Sequence, residues 1–303
     1  MTPLVYAIIL NWNAPQDTIE CIESVKKSNY ENLSIVLVDN GSRDDSVLVL
    51  RKHFPDLDII ENTQNAGFAE GNNIGMRYAM EKEADYFFIL NNDVTLAQDC
   101  IEKLVKSAES LNYAGMLAPK VCYYDQPDMI NSLGTSMDWL RLRPYLGFCG
   151  QKDKGQFNDK TIDAQILVGC AIFVKKDTLN RIGLIDKKFF IFHEEADWCL
   201  RNIKSGFKNV VIPQAAVYHK ASKTMRKFSN LTTYYSIRNF LYLAHKNASL
   251  VNKAKTAIGL CFLIFKNVLL LTLTKEMRKP SKAFLLGALD YFKGDMGKCK
   301  RQL

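Results

Sequence analysis

The sequence lacks the features that define several common protein classes. Its eight cysteines are scattered, and no two of them form a Cys-x-x-Cys pair. A disulfide framework or a zinc site is therefore not expected, and a reducing compartment fits best. The absence of a Gly-x-Gly-x-x-Gly fingerprint and of a Gly-Lys-Ser/Thr phosphate loop disfavours a dinucleotide-dependent dehydrogenase and a P-loop nucleotidase. No basic segment precedes the first apolar run, so no signal peptide is expected.

Acidic residues are scarce in one part of the chain only. The net charge is +8, but residues 1–218 have a balance of −6, whereas residues 219–303 hold 17 Lys and Arg against three acids. Such a basic tail indicates contact with an anionic surface, either nucleic acid or lipid. The apolar content of the same tail favours lipid, and no nucleic-acid partner is expected.

Three apolar segments end abruptly at clusters of small polar or acidic residues. Their length and β-branched content are typical of buried parallel strands. The segments are 6–10, followed by Asn11-Trp12-Asn13; 34–38, followed by Asp39-Asn40-Gly41-Ser42; and 86–90, followed by Asn91-Asn92-Asp93. Because ligands bind beyond the carboxyl ends of strands in such sheets, the three clusters predict a single pocket.

Helical and strand patterns alternate along the first half of the chain. Helices are predicted at 18–27, 44–53, 69–83, 97–111 and 176–182, and further strands at 57–60, 114–121, 164–174, 210–212 and 215–219. Residues 123–163 show no period and are predicted to be a long functional loop that determines substrate selectivity. The alternation predicts an α/β fold with a mostly parallel sheet flanked by helices.

The C-terminal region contains an apolar stretch at residues 256–274, divided by Lys266-Asn267. A membrane-spanning helix needs about 20 apolar residues, and a central Lys costs roughly 2.5–3.5 kcal/mol. With basic residues on both sides, a helix lying in the membrane interface is the favoured interpretation. A buried helix, a dimer contact and a true span stay open as alternatives.

The strand-end clusters predict a nucleotide and cation site. A carboxylate such as Asp39 can accept hydrogen bonds from a ring N–H or from ribose hydroxyls, with Asn11 and Asn13 adding amide contacts. Glycines in residues 65–75 let the backbone approach a ligand. Asp93 follows a very apolar strand, where a carboxylate is costly unless it binds a cation or caps a turn. Its oxygens suit Mg²⁺ or Mn²⁺. Turn and helix capping is the plainer explanation of each cluster taken alone.

An acidic segment after four aromatic and apolar residues predicts a general base. Glu194 and Glu195 are adjacent, so their carboxylates repel each other and one is expected to have a raised pKa. Asp197 and Arg201 have the spacing of a helical ion pair. An acidic first turn that complements the helix dipole is the alternative. His219 is a candidate metal ligand, although a lone His is more often structural.

In their order, these motifs resemble those of family-2 glycosyltransferases, in particular the rhamnosyltransferase-type members that build surface glycans. The resemblance covers about residues 4–245 and includes Tyr-Tyr-Ser-Ile-Arg-Asn at 234–239. It implies a GT-A fold, a nucleotide-diphosphate sugar donor, a divalent cation and inversion at the anomeric carbon. Glu195 occupies the position where the family usually has the Asp of a Glu-Asp pair, the proposed base.

The resemblance also implies a role for each candidate residue. The donor-binding set is Asn11, Asn13, Asp39, Asn40, Ser42, Asn65, Gly67, Asn72, Asn91 and Asn92. The metal ligands are Asp93 and His219, the catalytic candidates are Glu195 and Glu194, and the residues at the acceptor or in support of it are Asp197, Trp198 and Arg201.

The expected organisation is a glycosyltransferase domain at 1–245, with a nucleotide-binding half (1–121) and an acceptor-binding half (122–245), followed by a basic helical extension at 246–303. Expected partners are the donor, a glycan or lipid-linked acceptor and an anionic membrane surface, and a homodimer stays open. The expected location is the cytoplasmic side of the cell membrane, peripheral or monotopic. Alternatives are a sugar nucleotidyltransferase, whose Gly-rich, Arg-containing loop is missing at 11–15, and a non-catalytic nucleotide-sugar-binding scaffold.

Overall fold

The computed structural model describes residues 2–220 and 230–303, and in them a ten-stranded mixed sheet forms the centre of the molecule. The strands are β1 (Val5–Asn11), β2 (Leu33–Asp39), β3 (Asp58–Glu61), β4 (Tyr86–Asn91), β5 (Val94–Leu96), β6 (Ala114–Tyr123), β7 (Gln126–Ser132), β8 (Thr135–Asp138), β9 (Arg143–Leu146), β10 (Ile162–Ala164), β11 (Ala171–Lys175) and β12 (Lys208–His219). The β8–β9 hairpin stands apart from the main sheet.

Helices cover the sheet and form the C-terminal region. They are α1 (Pro15–Lys26), α2 (Ser46–His53), α3 (Gly67–Glu81), α4 (Cys100–Ser110), α5 (Lys176–Ile182), α6 (Glu194–Lys204), α7 (Asn230–Asn247), α8 (Leu250–Leu273) and α9 (Arg278–Lys293). The five predicted helices are all present, with ends within three residues of those expected. The α/β fold class is therefore confirmed.

The sheet has two halves of different character. In the order β10-β12-β6-β11-β4-β1-β2-β3, the strands from β4 to β3 are parallel, whereas β11 runs antiparallel to both β4 and β6. The strands β4, β1, β2 and β3 thus pair with one another only in parallel, whereas the rest of the sheet is mixed and includes the parallel pair β6–β12. Asn11 lies opposite Asp39, and Leu10 lies opposite Asn91, so three polar strand ends meet at one edge.

The core lies on both faces of this sheet. Alternate residues of β1 enter different apolar clusters, Val5, Ala7 and Ile9 on one face and Tyr6 and Ile8 on the other, as strand geometry requires. Helix α3 approaches the second face so closely that a Cβ at Gly75 would lie 2.4 Å from Ile8.

Three sequence-based predictions of secondary structure are wrong in detail. Residues 123–163 are not a loop throughout, because they contain β7 to β10 and the separate hairpin. The strand expected at 164–174 is interrupted, since residues 165–170 leave the sheet and only β11 continues it. The two strands expected at 210–219 are one, β12, whose register against β6 shifts between Ile212 and Ala216. Pro213 lies in that irregularity and imitates a strand end in the sequence.

The C-terminal helices pack unequally. Helix α7 packs against α9, and an apolar cluster that includes Ile237, Leu260 and Phe284 joins both of them to α8. In contrast, only 17% of the most apolar window of α8 is buried. By length and composition alone, α8 is the one helix in the described part of the chain that is apolar enough to cross a membrane.

Candidate active site

The nucleoside cluster, by which we mean Asn11, Asp39 and Ser42, lies at the carboxyl ends of β1 and β2. Asn11 Nδ2 donates to Asp39 Oδ1 at 2.7 Å, and Ser42 donates through Oγ to Oδ1 at 2.6 Å and through its backbone N–H to Oδ2 at 2.9 Å. Asp39 is only 2% exposed. Its carboxylate therefore fixes the positions of the other two side chains at this edge.

Asn13 fastens the β1 loop to the β2 loop. Its backbone N–H donates to Ser42 Oγ at 2.9 Å, and its side-chain oxygen accepts from the backbone N–H of Arg43 at 2.8 Å. Asn13 is exposed and has a φ of 52°, a left-handed conformation that Asn tolerates better than most residues.

The loop before α3 is shaped by two asparagines. Asn40 Oδ1 accepts from the backbone N–H of Ala66 at 3.0 Å and its amide donates to the Gly67 carbonyl at 3.1 Å, while Asn65 Oδ1 accepts from the Gly67 N–H at 2.8 Å. Gly67 has a φ of +85°, and a Cβ there would meet Phe190 at 2.5 Å. Asn72 is fully buried and donates to the Phe68 carbonyl, so its side chain does not lie at the rim.

Thr18, a buried residue of α1, connects the β1 and β4 ends. Its hydroxyl lies 2.7 Å from Asn11 Oδ1 and 2.9 Å from the amide nitrogen of Asn92. The Asn91 backbone N–H donates to the Cys170 carbonyl at 3.0 Å. Sequence reasoning missed Thr18, and the only available signal is its place in the first turn of the helix after β1.

Asp93 and His219 face each other across the pairing of β5 with β12. Asp93 Oδ1 lies 3.2 Å from His219 Nε2, and both side chains are largely buried. The other ring nitrogen, Nδ1, is buried without a hydrogen-bond partner. In residues 2–220 and 230–303 no group of three or more His, Cys, Asp or Glu side chains has the arrangement of a metal site. The Asp93 carboxylate nevertheless suits Mg²⁺ or Mn²⁺, an imidazole is a ligand for a transition metal such as Mn²⁺ rather than for Mg²⁺, and the unpaired nitrogen leaves room for a further interaction.

The acidic pair, Glu194 and Glu195, begins α6 and reaches the same edge through residues 169–170. A Cβ at Gly169 would lie 3.5 Å from the Cβ and Cγ of Glu195, so residue 169 and Glu195 are in ordinary van der Waals reach of each other. Since Cys170 bonds to Asn91, Glu195 lies beside the end of β4. Glu195 is thus connected through residues 169–170 to the edge where the three polar strand ends meet.

The environment of the acidic pair raises the pKa values of both carboxyl groups. Burial, followed by repulsion from Glu195, raises the pKa of Glu194 well above its usual value, and burial also raises the pKa of Glu195. Glu194 is 5% exposed and its Oε2 has no hydrogen-bond partner, whereas Glu195 is half-buried. Burial lowers the pKa of the neighbouring His193 to about 4, so this imidazole is neutral at pH 7.

The aromatic turn, residues 189–193, holds this pair in place under strain. Phe190, Phe192 and His193 have φ values of 67°, 72° and 70°, which are costly for residues with a Cβ. The Asn239 amide lies 2.7–2.9 Å from three carbonyl oxygens of the turn, those of Phe189, Ile191 and Phe192. Buried Arg238 adds a bond to the Phe189 carbonyl at 3.2 Å. Helix α7 therefore fixes the turn.

Asp197, Trp198 and Arg201 anchor α6 to neighbouring segments of the protein. Arg201 Nε donates to Asp197 Oδ2 at 2.8 Å, the pair that the spacing predicted, and Trp198 Nε1 donates to the Gly183 carbonyl at 2.9 Å. Lys246 lies 2.9 Å from the other Asp197 oxygen. All three side chains have partners inside the protein and do not line the edge with Asp39 and Asp93.

A family model now identifies the chain. The model described as glycosyl transferase family 2 matches residues 6–183, more than half of the protein. The chain belongs to glycosyl transferase family 2. It is therefore a glycosyltransferase, and the sugar nucleotidyltransferase alternative loses its support.

Relatives and a solved structure agree with this family. The chain is 23% identical to the dTDP-rhamnosyl transferase RfbF of Shigella flexneri, over 98% of both chains. It is 21% identical to the N-acetylglucosaminyl-diphospho-decaprenol L-rhamnosyltransferase of Mycobacterium tuberculosis, over 82% of this chain and 86% of that protein. The mannosyltransferase PcManGT of Pyrobaculum calidifontis, solved with GDP-Man and Mn²⁺, superposes with a TM-score of 0.58 at 15% identity, covering 96% and 88% of the two chains. The GT-A fold and the rhamnosyltransferase-like character are thus confirmed.

Proposed function

We propose that this family-2 enzyme is an inverting, cation-assisted glycosyltransferase. It moves a sugar from a nucleotide-diphosphate donor to a hydroxyl of a lipid-linked acceptor in surface glycan synthesis. The observation that supports this most directly is a chain of contacts in two parts. The first part runs from Asp39 through Asn11 and Thr18 to Asn92. The second part runs from Asn91 through Cys170 to Gly169, which lies beside Glu195. Together the two parts join a nucleoside subsite, a cation subsite and a base along one edge of the sheet.

The donor's nucleoside binds at the nucleoside cluster. Because Asp39 is saturated by Asn11 and Ser42, the cluster is held rigid before the ligand arrives, which lowers the entropy cost of binding. The exposed amide of Asn13 and the backbone around Gly41 complete this subsite. A dTDP-sugar is the first donor to test, because RfbF is named for one.

The donor's diphosphate binds beside Asp93 and His219, which would hold Mn²⁺ or Mg²⁺. Two protein ligands are enough for such a cation when diphosphate oxygens and water supply the rest. When bound, it would neutralise negative charge that develops on the leaving diphosphate. Asn92, whose amide donates to Thr18, directly precedes Asp93 and would contact the same diphosphate.

Glu195 acts as the general base. Its carboxylate takes the proton of the acceptor hydroxyl, the oxygen forms a bond to the sugar's C1, and the bond from C1 to the diphosphate breaks with its electron pair leaving on the diphosphate. Attack from the face opposite to the leaving group inverts the anomeric carbon. Glu195 is preferred over Glu194 because it is the more exposed of the two and Gly169 leaves space beside it.

The acceptor is brought to this site at the cytoplasmic face of the membrane. Helix α8 leaves large apolar side chains exposed, and basic residues at 253, 255, 275, 278, 279 and 282 lie on both sides of its apolar stretch. Basic residues beside an exposed apolar helix favour binding to anionic lipid. The name of the mycobacterial relative, which specifies a diphospho-decaprenol substrate, supports a lipid-linked acceptor.

A donor panel with a matched pair of variants tests this function. Purified protein is incubated with dTDP-, UDP- and GDP-sugars, with Mn²⁺ or with EDTA, and sugar transfer to membrane lipid is measured. Glu195→Gln should lower transfer by roughly 10²–10⁴-fold while donor binding stays unchanged. Glu102→Gln, an exposed change of the same type on α4, should leave both unchanged. Near wild-type turnover by Glu195→Gln would show that the base is assigned wrongly. Cation-dependent binding without any turnover would favour a scaffold.

A further inference from the structure

The turn of the β8–β9 hairpin is fastened to the first half of α8. Thr256 Oγ1 donates to the Trp139 carbonyl at 3.1 Å, although 117 residues separate the two. Gly259 lies so close to Leu140 that an added Cβ would be 1.9 Å from its carbonyl oxygen. Leu142 packs against the cluster that contains Leu260. Hairpin and helix therefore form one structural unit.

The hairpin cleft lies beside this contact and has a volume of about 430 Å³. It is lined by Ser136, Met137, Asp138, Trp139, Leu140, Tyr145 and Lys255. Leu140 and Tyr145 are 48% and 66% exposed, so its walls are partly apolar. Asp138 Oδ1 is occupied by the backbone N–H groups of Leu140 and Arg141. Lys255 forms no ion pair with any side chain that the structure describes.

The α8 stripe continues from the cleft along the helix. Lys255 belongs to a row of residues three or four positions apart, which share one helix face. The apolar members of the row are Val251, Ile258, Phe262, Phe265, Leu269 and Leu273, each 45–71% exposed. From Lys255 to Leu273 the row is about 27 Å long. A continuous apolar surface of this size indicates an interaction site.

The cleft is also close to the acidic pair. The Trp139 ring packs edge-on against Phe240 with their centroids 5.6 Å apart, and Phe240 packs in the same way against His193, again at 5.6 Å. His193 directly precedes Glu194. In addition, Thr135 of the hairpin pairs with Ile166, in the segment that leads to Gly169 beside Glu195. Packed side chains and one backbone bridge therefore link the wall of the cleft to the segments that carry the acidic pair.

We propose that the hairpin cleft and the α8 stripe bind one amphiphilic ligand, the acceptor, as a lipid diphosphate that bears the sugar to be extended. Lys255 contacts the diphosphate, the stripe contacts the lipid chain, and the sugar extends past the hairpin toward Glu195. The charge of Lys255 supports this ligand. Lys255 has no ion-pair partner among the described side chains, and it lies at the start of the α8 stripe, where the diphosphate head of the ligand would meet its lipid chain. The inference rests on the proposed function, since it names the acceptor subsite of that reaction.

Binding of farnesyl diphosphate to the full-length protein in detergent tests the subsite. EDTA is present, so that the diphosphate is not held by a cation at Asp93. Farnesyl diphosphate should bind more tightly than either farnesol or inorganic pyrophosphate. Lys255→Glu should weaken its binding roughly tenfold, as expected for loss of a charge-assisted contact. Lys253→Glu reverses the same charge at an exposed position outside the cleft and should change binding less than about twofold.

Several results would overturn this assignment. Equal weakening by both charge reversals, or affinity no higher than that of farnesol, would show that no diphosphate site exists in the cleft. Full competition by phosphatidylglycerol vesicles would identify the surface as a general membrane contact. If the wild-type protein is a dimer and Phe262→Ser converts it to a monomer, the stripe is the contact with a second copy. Lys255→Met, which keeps the apolar stem, serves if Lys255→Glu does not fold, and should retain farnesol binding. Donor hydrolysis by the wild-type protein is measured separately, so failure of the proposed function is recognised independently.

Discussion

The nucleoside cluster and the acidic pair lie on one edge of the sheet, yet they are built in opposite ways. Around Asp39 every carboxylate oxygen has a partner, and the positive φ values nearby fall on Asn13 and Gly41, residue types that tolerate them. Around Glu194 an oxygen lacks a partner, two acids are adjacent, and the preceding turn has three residues with positive φ. The comparison indicates that the proposed binding region is preorganised by satisfied hydrogen bonds, whereas the proposed reacting region keeps unfavourable charge and strain.

The largest effect is expected at Asn239, whose side chain holds the strained aromatic turn. Asn239→Ala removes the amide that lies against three carbonyls of the aromatic turn. We expect a loss of roughly 2–4 kcal/mol in the free energy of unfolding, together with a fall in kcat, because the acidic pair is displaced. Denaturant unfolding and steady-state kinetics measure both. Asn180→Ala, an exposed change on α5, is the control, and equal stability of the two variants would contradict the role of Asn239.

The next effect is expected in the satisfied cluster. Asp39→Asn puts an amide where the carboxylate accepts from Asn11 and Ser42, so at least one donor meets another donor. We expect donor affinity to fall roughly 10- to 100-fold, on the scale of one or two lost charge-assisted hydrogen bonds. Isothermal titration with nucleotide diphosphate measures this. A fall in kcat with unchanged donor affinity would contradict a role in binding and remove the contrast with the acidic pair.

A smaller effect is expected at Thr18, which connects the nucleoside cluster to the residues at the end of β4. Thr18→Val keeps the shape of the side chain but removes the hydroxyl shared by Asn11 and Asn92. We expect the KM for donor to rise about fivefold, corresponding to about 1 kcal/mol. Thr18→Ser should restore the wild-type KM, since it restores the hydroxyl. If Thr18→Val and Thr18→Ser have the same KM for donor, the effect of this residue comes from packing and not from its hydrogen bonds.

The smallest effect is a change in pH dependence. Burial raises the pKa of Glu194 in the folded state above the ordinary value of 4.5. The folded state therefore binds more protons than the unfolded state once the pH exceeds 4.5, and stability falls as the pH rises toward the folded pKa. Glu194→Gln should flatten this slope, which melting temperatures between pH 5 and 8 would reveal. Parallel curves for variant and wild type would show that Glu194 is not held protonated.

Much of the site was predictable because strand ends are local features. The apolar runs before Asn11, Asp39 and Asn91 predicted three strands correctly, and parallel pairing then required their ends to meet. Residues 123–163 were misread because short strands interrupted by Gly, Pro and aromatic residues show no period. The approach of residues 169–170 to Glu195 was equally invisible, since the apolar run 164–174 looks like one strand until its neighbours across the fold are known.

By itself, the sequence determined the α/β alternation, the order of the polar clusters and the basic, apolar character of the C-terminal region. These follow from periodicity and composition, which act over a few residues. Only the tertiary structure decided which acid is exposed, that Thr18 links two strand ends, and that α8 is fastened to a hairpin 117 residues away. Those features depend on contacts between distant segments, where burial and close approach, not local pattern, fix the environment of each side chain.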